Sequence, residues 1–336
     1  MTTMWLTDAP PIEGLVWRGW RPGADDDAIA DLLNRCTETN RIPMRWTAAT
    51  VASELGYLAG FEPERDLVLG ELDGRIVALA RTNRVIEYDG VVSLRSHCFV
   101  DPSIRDRGIG RALLRHQEAR LRSATLVADP PEARRVYRSF VTDHEPSARA
   151  LLESEGYRHI RTAFRMEAPL TVELPTPPAL PGLEIRPIER REIGHRVLVA
   201  ANEAFRDHPG HHESTEDDYA EMLDDPERDF SLWQVAWDGD EVAGMVVPIV
   251  RAGENALLGR RIGWLDAVGT RRPWRKRGVA TALMARSLVA LRDIGMTSAG
   301  LGVDSENPTG ALGLYERLGF VVVFRWLNYQ KPLDLA

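Results

Sequence analysis

Two hexapeptides in this 336-residue chain carry chemistry in their spacing: Arg-Asp-Arg-Gly-Ile-Gly at 105–110 and Arg-Lys-Arg-Gly-Val-Ala at 275–280. Each has the form Arg-x-x-Gly-x-small. Each follows an apolar, partly β-branched run and opens a stretch with helical periodicity. After the second, Ala280, Leu283, Met284, Leu288 and Leu291 fall on one helical face. The first amides of a helix have no internal acceptor, and the helix dipole favours an anion there. A glycine turn feeding such an end makes a phosphate cradle, and flanking arginines add charge-assisted contacts. For one copy alone, a plain turn with a solvated basic edge is the competing role. Two copies in the same context favour the cradle.

The elements around the hexapeptides recur in the same order. Each half opens on a short strand pattern ending in Arg-Pro, LVWRGWRP at 15–22 and LEIRPI at 183–188. Helical stretches with acidic starts follow at 25–36 and 192–205. Next comes a hairpin pattern around Asp-Gly, at 66–81 and 232–247, since Asp-Gly supplies positive φ at the turn. Another strand, the hexapeptide, a helix, a strand, a helix and a closing strand complete each half. From the hexapeptide onward the first half is about seven residues longer than the second, an excess assigned to residues 129–135. Between the halves lies APLTVELPTPPALPG at 168–182, whose prolines disallow a helix or central strand and predict an extended spacer. The expected division is a module at 12–168, a linker at 169–182 and a module at 183–334.

Composition sets the outer limits. The chain is 44% hydrophobic and 27% charged with a net charge of −8, ordinary for a soluble protein and unsuited to nucleic acid as main partner. Two cysteines, Cys36 and Cys98, make no disulfide framework and no metal-type spacing. No signal peptide and no membrane-length apolar run is read, so a cytoplasmic location is expected. His208, His211 and His212 lie near Glu213, Glu216, Asp217 and Asp218. Without a distant ligand pair this reads as an acidic pocket rim for a cationic amine, and no metal is expected. Ser214-Thr215-Glu216 in the same run reads as a helix start. Met44 and Trp46 in the first half could line a groove, with core packing as the commoner fate.

RKRGVA followed by NPTGALGLYERLGF at 307–320 resembles the acetyl-CoA-binding core of the GCN5-related N-acetyltransferase (GNAT) superfamily. The resemblance spans nearly the whole chain as two tandem modules, a layout similar to the mycothiol synthase-like acetyltransferases. It implies an α+β fold, each module a mixed, mostly antiparallel sheet flanked by helices. It implies that Arg275, Arg277, Gly278, Val279 and Ala280 hold the CoA pyrophosphate. It also implies that Ala267, Val268 and Gly269 offer backbone groups to the pantetheine arm. Asn307 is a candidate for orienting cofactor or water, with a loop cap as its alternative role. The matching positions in the first module are Arg105, Arg107, Gly108, Ile109 and Gly110.

Acetyl transfer to an amine needs a general acid for the leaving thiolate and a route for the amine proton. By the resemblance the acid is Tyr315; its alternative role is aromatic packing under the helix. Asp266 is the candidate base, with a plain surface aspartate as alternative. Aligning Gly156-Tyr157 on Gly319-Phe320 sets Leu152 opposite Tyr315 and His144 opposite Asn307. Leucine donates no proton, so the first module is expected to be non-catalytic. The expected activity is acetyl transfer from acetyl-CoA to a primary amine of a small molecule in the C-terminal module. The competing readings are a non-catalytic acetyl-CoA sensor and an acetyltransferase acting on a protein N-terminus or lysine. A Rossmann site is disfavoured because G-x-G-x-x-G is absent from both cradles. Two modules in one chain mimic a homodimer, so a monomer is expected.

Overall fold

The structure is a computed structural model. It describes residues 6, 8–56, 58, 61–128, 133–186, 188, 191–206, 213–225, 227–307 and 310–333. The chain forms two compact units, one of residues 1–161 with 326–336 and one of residues 162–325. Among the described residues, no helix is long and apolar enough to cross a membrane.

In the first unit the order is β1 (Leu15–Gly19), α1 (Asp26–Thr39), α2 (Ala48–Gly56), α3 (Pro63–Asp66), β2 (Leu67–Leu72), β3 (Arg75–Ile86), β4 (Val92–Val100), α4 (Ile109–Ala128), β5 (Arg135–Thr142) and α5 (Pro146–Ser154). The strands β1 to β4 pair antiparallel in chain order, and β4 pairs parallel with β5. Strand alternation divides the apolar side chains between two faces. Leu67, Leu69 and Leu79 meet Ile29, Leu32 and Leu33 of α1. Val68, Val77 and Ala80 meet Ile109 and Leu113 of α4. Trp46 is buried and Met44 half-buried in the α1 cluster, so both join core packing.

The next strand, β6 (Arg158–Pro169), leaves the first unit and enters the second. It is followed by β7 (Glu184–Arg186), α6 (Arg191–Phe205), α7 (Glu216–Asp224), β8 (Gln234–Asp238), β9 (Glu241–Ile249), α8 (Ala252–Leu258), β10 (Ile262–Thr270), α9 (Val279–Asp293), β11 (Ser298–Asp304), α10 (Ala311–Arg317) and β12 (Val321–Pro332). Strands β7 to β10 pair antiparallel in order, and β10 pairs parallel with β11. Val235, Trp237, Met245 and Val247 face α6, while Ala236, Ala243 and Val246 face α9. On α9 itself Leu283, Met284, Leu288 and Leu291 are fully buried, whereas Ala280 is half-buried.

The closing strands depart from the sequence division at 12–168 and 183–334. Residues 163–169 of β6 pair with β11 in the second unit. Residues 326–332 of β12 pair with β5 in the first unit. Each exchange forms an antiparallel ladder of seven residue pairs. The free edges of β5 and β11 occupy the same place in two similar sheets, and an alternating strand pattern does not encode which one it joins. The proline-rich segment is irregular, but Leu170 is buried and Leu174 and Leu180 pack against the core of the second unit. It is therefore a packed strap more than a free spacer.

Both hairpins form. In the first, Asp73 and Gly74 are the turn, at φ 51° and 75°. In the second, Asp238 pairs with Glu241, so the turn is Gly239-Asp240 with Gly239 at φ 57°. The Asp-Gly signal is right in both places but shifted by one residue in the second. The extra length of the first half lies mainly in the helix: α4 has 20 residues and α9 has 15. Residues 129–132 of the expected insertion lie outside the described residues.

Candidate functional site

The two hexapeptides adopt the same backbone. Asp106 and Lys276 both have φ 61°, and Gly108 and Gly278 have φ 86° and 81°. A left-handed residue at each of these positions turns the chain so that the following amides point out of the helix end. An added Cβ at either glycine meets nothing within 4 Å, so glycine is there for its φ and not for space. The helices begin at Ile109 and Val279, with the first intrahelical bonds running from Ala112 N–H to Gly108 O and from Ala282 N–H to Gly278 O. The amides before them have no helical acceptor, so each helix end presents free N–H groups beside its glycine turn.

The first arginine of each motif ties the loop to its own unit. Arg105 Nε donates to Val100 O at 3.1 Å and its Nη1 to Asn40 Oδ1 at 2.9 Å. Arg275 Nε donates to Thr270 O at 3.1 Å and its Nη2 to Ala204 O at 3.2 Å. These contacts hold the strand end, the loop and the preceding helix together. Arg107, Lys276 and Arg277 stay exposed at the loop rim.

Beside each cradle the two parallel strands separate. The β4–β5 ladder ends at Arg95 opposite Arg138, and the β10–β11 ladder ends at Trp264 opposite Gly300. From Leu265 to Thr270 the β11 side of β10 has no strand partner among the described residues, and Ala267, Val268 and Gly269 lie on that stretch. Between Leu265 and Ala267 the β9–β10 register slips, so Asp266 is a bulge residue. Opposite Leu265 stands Pro248, which has no N–H to give the ladder.

Asp266 is about a third exposed, at 37%, and accepts from Arg228 Nη2 at 2.9 Å. Arg228 is 9% exposed and also faces Asp225 at 3.7 Å. Next to it Glu227 pairs with Arg251 at 3.4 Å, and burial raises the pKa of the Glu227 carboxyl. Neither Arg228 nor Glu227 is legible from sequence spacing, since both come from an irregular loop that folds back onto β10.

Tyr315 is 6% exposed in the core cluster under α10, its ring 6.1 Å from Phe320. Burial pushes its phenol up to about 12, so it keeps its proton at neutral pH. Asn307 closes a backbone turn, donating to Asp304 O and accepting from Gly310 N, each at 3.2 Å. In the first unit Leu152 is 5% exposed, and His144 Nδ1 lies 3.2 Å from Asn40 O.

The first unit holds a cavity of about 500 Å³ at its cradle. Its walls include Gly108 and Gly110 of the turn, Cys98 and Phe99 of β4, and Leu151 of α5. At Gly110 a Cβ would stand 3.2 Å from Leu151 Cδ2, so the small residue keeps this wall open. Burial raises Cys36 to about 11 and Cys98 to about 12, which keeps both thiols protonated and unreactive.

On the acceptor side of the second unit, Thr215 caps α7 in a reciprocal capping box with Asp218, as the sequence predicts for a helix start there. Glu216 lies 2.6 Å from His195 Nε2. Of the acids expected at a pocket rim, Asp218 caps α7 and Glu216 pairs with His195 of α6. His208, His211 and His212 lie outside the described residues.

Comparison with known proteins agrees with this geometry. The model described as "Acetyltransferase (GNAT) family" matches residues 196–320, and "Acetyltransferase (GNAT) domain" matches residues 63–159. The chain is 30% identical over 271 residues to a mycothiol acetyltransferase of Salinispora arenicola, covering 80% of this chain and 82% of that protein. It is 32% identical over 244 residues to the mycothiol acetyltransferase of Salinispora tropica, covering 69% and 71%. A GCN5-related N-acetyltransferase of known structure from Sphaerobacter thermophilus is 28% identical with a TM-score of 0.74, covering 97% of this chain and 99% of that one. A tandem GNAT protein from the clavulanic acid biosynthesis pathway shares the fold at 16% identity and a TM-score of 0.66, covering 96% and 99%. The chain belongs to the GNAT acetyltransferase family.

Proposed function

We propose that the C-terminal unit transfers an acetyl group from acetyl-CoA directly to a primary amine of a small molecule, and that the N-terminal unit binds the cofactor without turnover. The observation that carries this reading is an asymmetry between two matching cradles. A protonated phenol, Tyr315, lies in the core under α10, and Leu152 takes the aligned place under α5.

In this reading the free amides after Gly278 hold the pyrophosphate, with Arg277 and Lys276 at the rim. The unpaired edge of Ala267–Gly269 receives the pantetheine arm, placing the thioester where β10 and β11 part. The amine attacks the carbonyl carbon, the C–N bond forms and the C–S bond breaks. The proton lost by the amine passes to the Asp266 carboxylate through water, and Tyr315 gives its proton to the leaving sulfur. Arg228 holds Asp266 at the bulge through its Nη2 hydrogen bond. Backbone N–H groups at the bulge, fixed before the reaction, meet the developing oxyanion. Asn307 orients cofactor or water from its turn.

The mycothiol acetyltransferase relatives favour a mycothiol-type amine as acceptor. The 500 Å³ cavity supports acyl-CoA binding in the first unit, and Leu152 supplies no acid there. The test is CoA release from acetyl-CoA against a panel of amines and amino sugars, including a cysteinyl amino sugar, with Tyr315→Phe beside the wild type. Amine-dependent release that falls at least about tenfold in the variant supports the reading.

A further inference from the structure

The gaps where the parallel strands part are not alike in the two units. In the second unit the last parallel pair is Trp264 and Gly300, and two residues further on come Asp266, at the bulge, and Gly302. In the first unit the last pair is Arg95 and Arg138, and the same step reaches His97 and Phe140. These two rings meet across the gap with centroids 4.2 Å apart, and the Phe99 ring lies 4.5 Å from His97. His97 and Phe99 alternate with Cys98, which packs toward α4, so both rings leave the α1 face of the sheet. Ser139 Oγ donates to Ser96 O at 2.9 Å and joins the strands one residue past the end of their ladder. Glycine at 302 has no side chain with which to make a contact like that of Phe140.

The backbone differs as well. The β3–β4 register runs unbroken from Ala78 opposite Val100 to Ile86 opposite Val92, so β4 has no counterpart of the bulge at Asp266. His97 stands where the second unit has its candidate base. Burial, then the Arg81 charge, pushes the His97 imidazole down to about 3, so it takes up no proton near neutrality.

The first-unit cavity ends against this wall. Phe99 is part of its lining, and so are Cys36 and Asn40 of α1 and its C-terminal end. Asn40 is tied on three sides. Its Oδ1 accepts from Arg105 at 2.9 Å, its Nδ2 donates to Glu145 Oε1 at 3.3 Å, and its carbonyl oxygen lies 3.2 Å from His144 Nδ1. Arg105 belongs to the cradle turn, and His144 and Glu145 lie just before α5. These contacts strap the end of α1 across the back of the cavity. On the cradle side Asp106 and Gly108 of the lining are exposed.

We propose that the first unit is a closed-ended acyl-CoA site, in which the His97–Phe140 contact shuts the thioester off from the α1 face, so that no nucleophile reaches its carbonyl. This rests on the reading that the first unit binds the cofactor, and adds that blocked access, as well as the missing acid, keeps it idle. The CoA body fills the open cradle side, and the aromatic wall excludes water from the other. The bound thioester is retained intact while the second unit turns over.

The test uses hydroxylamine, a small nucleophile that needs no enzyme acid. Its nitrogen takes the acetyl group as acetohydroxamate, and the sulfur leaves as the CoA thiol. The full chain is loaded with radiolabelled acetyl-CoA, unbound ligand is removed, the bound equivalents are counted and acetohydroxamate is followed with time. The wild type binds two equivalents, and one reacts at least about tenfold more slowly than the other. Phe140→Gly, which gives the first unit the residue of the second, still binds two and speeds the slow equivalent at least about tenfold. Gly110→Leu, which fills the cavity wall beside Leu151, loses the slow equivalent and keeps the fast one. Two equivalents that react alike, or a slow one that Phe140→Gly leaves unchanged, overturn the proposal and leave the binding reading standing. A single equivalent that Gly110→Leu does not alter refutes the binding reading, and the proposal with it. If Phe140→Gly does not fold, His97→Ala opens the same wall and decides in its place.

Discussion

Replacing Gly278 by alanine tests the cradle, because space and conformation separate cleanly there. The residue has φ 81° and ψ 4°, and an added Cβ would meet nothing within 4 Å. The whole cost is therefore conformational, about 1–2 kcal/mol for a non-glycine residue in the left-handed region. That energy has two outlets. If the loop keeps its shape, the folded state is destabilised by about 1–2 kcal/mol. If the loop relaxes, the amides after residue 278 turn away, and KM for acetyl-CoA rises about 5- to 30-fold, the same energy at RT of about 0.59 kcal/mol. Gly108→Ala is the internal control, with φ 86° and an equally empty surrounding. It loses similar stability, but leaves kcat/KM unchanged if transfer runs in the C-terminal unit. Urea unfolding and steady-state kinetics on both variants give the answer. A Gly278→Ala protein unchanged in both stability and KM refutes the argument.

Gly300→Ala tests the separation of the strands: its Cβ would stand 2.0 Å from Trp264 Cζ3, and the Arg165 guanidinium carbon lies 3.6 Å from the centroid of that ring. Overpacking against the ring and disturbance of the cation–π contact cost about 2–4 kcal/mol, measurable by urea unfolding. Asp266→Asn keeps the hydrogen bond from Arg228 but removes the base, so kcat falls about 100-fold or more while stability changes by less than about 1 kcal/mol. Asp25 gives a pH signature. Its burial opposes ionisation, yet hydrogen bonds from Arg18 and Arg21 outweigh this and hold the carboxyl at about 2, below its ordinary 3.8. A depressed carboxylate stabilises the fold above its unfolded pKa and loses that contribution as pH falls through the folded one. Wild type therefore loses about 2 kcal/mol more than Asp25→Asn between pH 4 and pH 2, read as the difference in urea midpoints.

Local chemistry explains what was legible in the sequence. The glycines of the two hexapeptides demand positive φ, so the sequence marks both turns. The Asp-Gly pairs mark both hairpins for the same reason. The exchange of closing strands was not legible, because residues 163–169 and 326–332 each make seven antiparallel pairs and carry similar alternation. Nothing in a period-2 pattern names the partner edge. The link from Arg228 to Asp266 was hidden for a different reason: it spans 38 residues and depends on how an irregular loop folds back. The acids near Thr215 were visible, but their use in capping α7 depends on side-chain geometry that composition does not show.

The central claim is that transfer depends on Tyr315 of the C-terminal unit. Its most direct test is the rate of CoA release from acetyl-CoA with the amine panel, for wild type, Tyr315→Phe and Leu152→Ala side by side. The account predicts amine-dependent release in wild type and Leu152→Ala, and at least about a tenfold loss of kcat in Tyr315→Phe with KM for acetyl-CoA unchanged. Full activity in Tyr315→Phe would contradict it and move the acid to another residue.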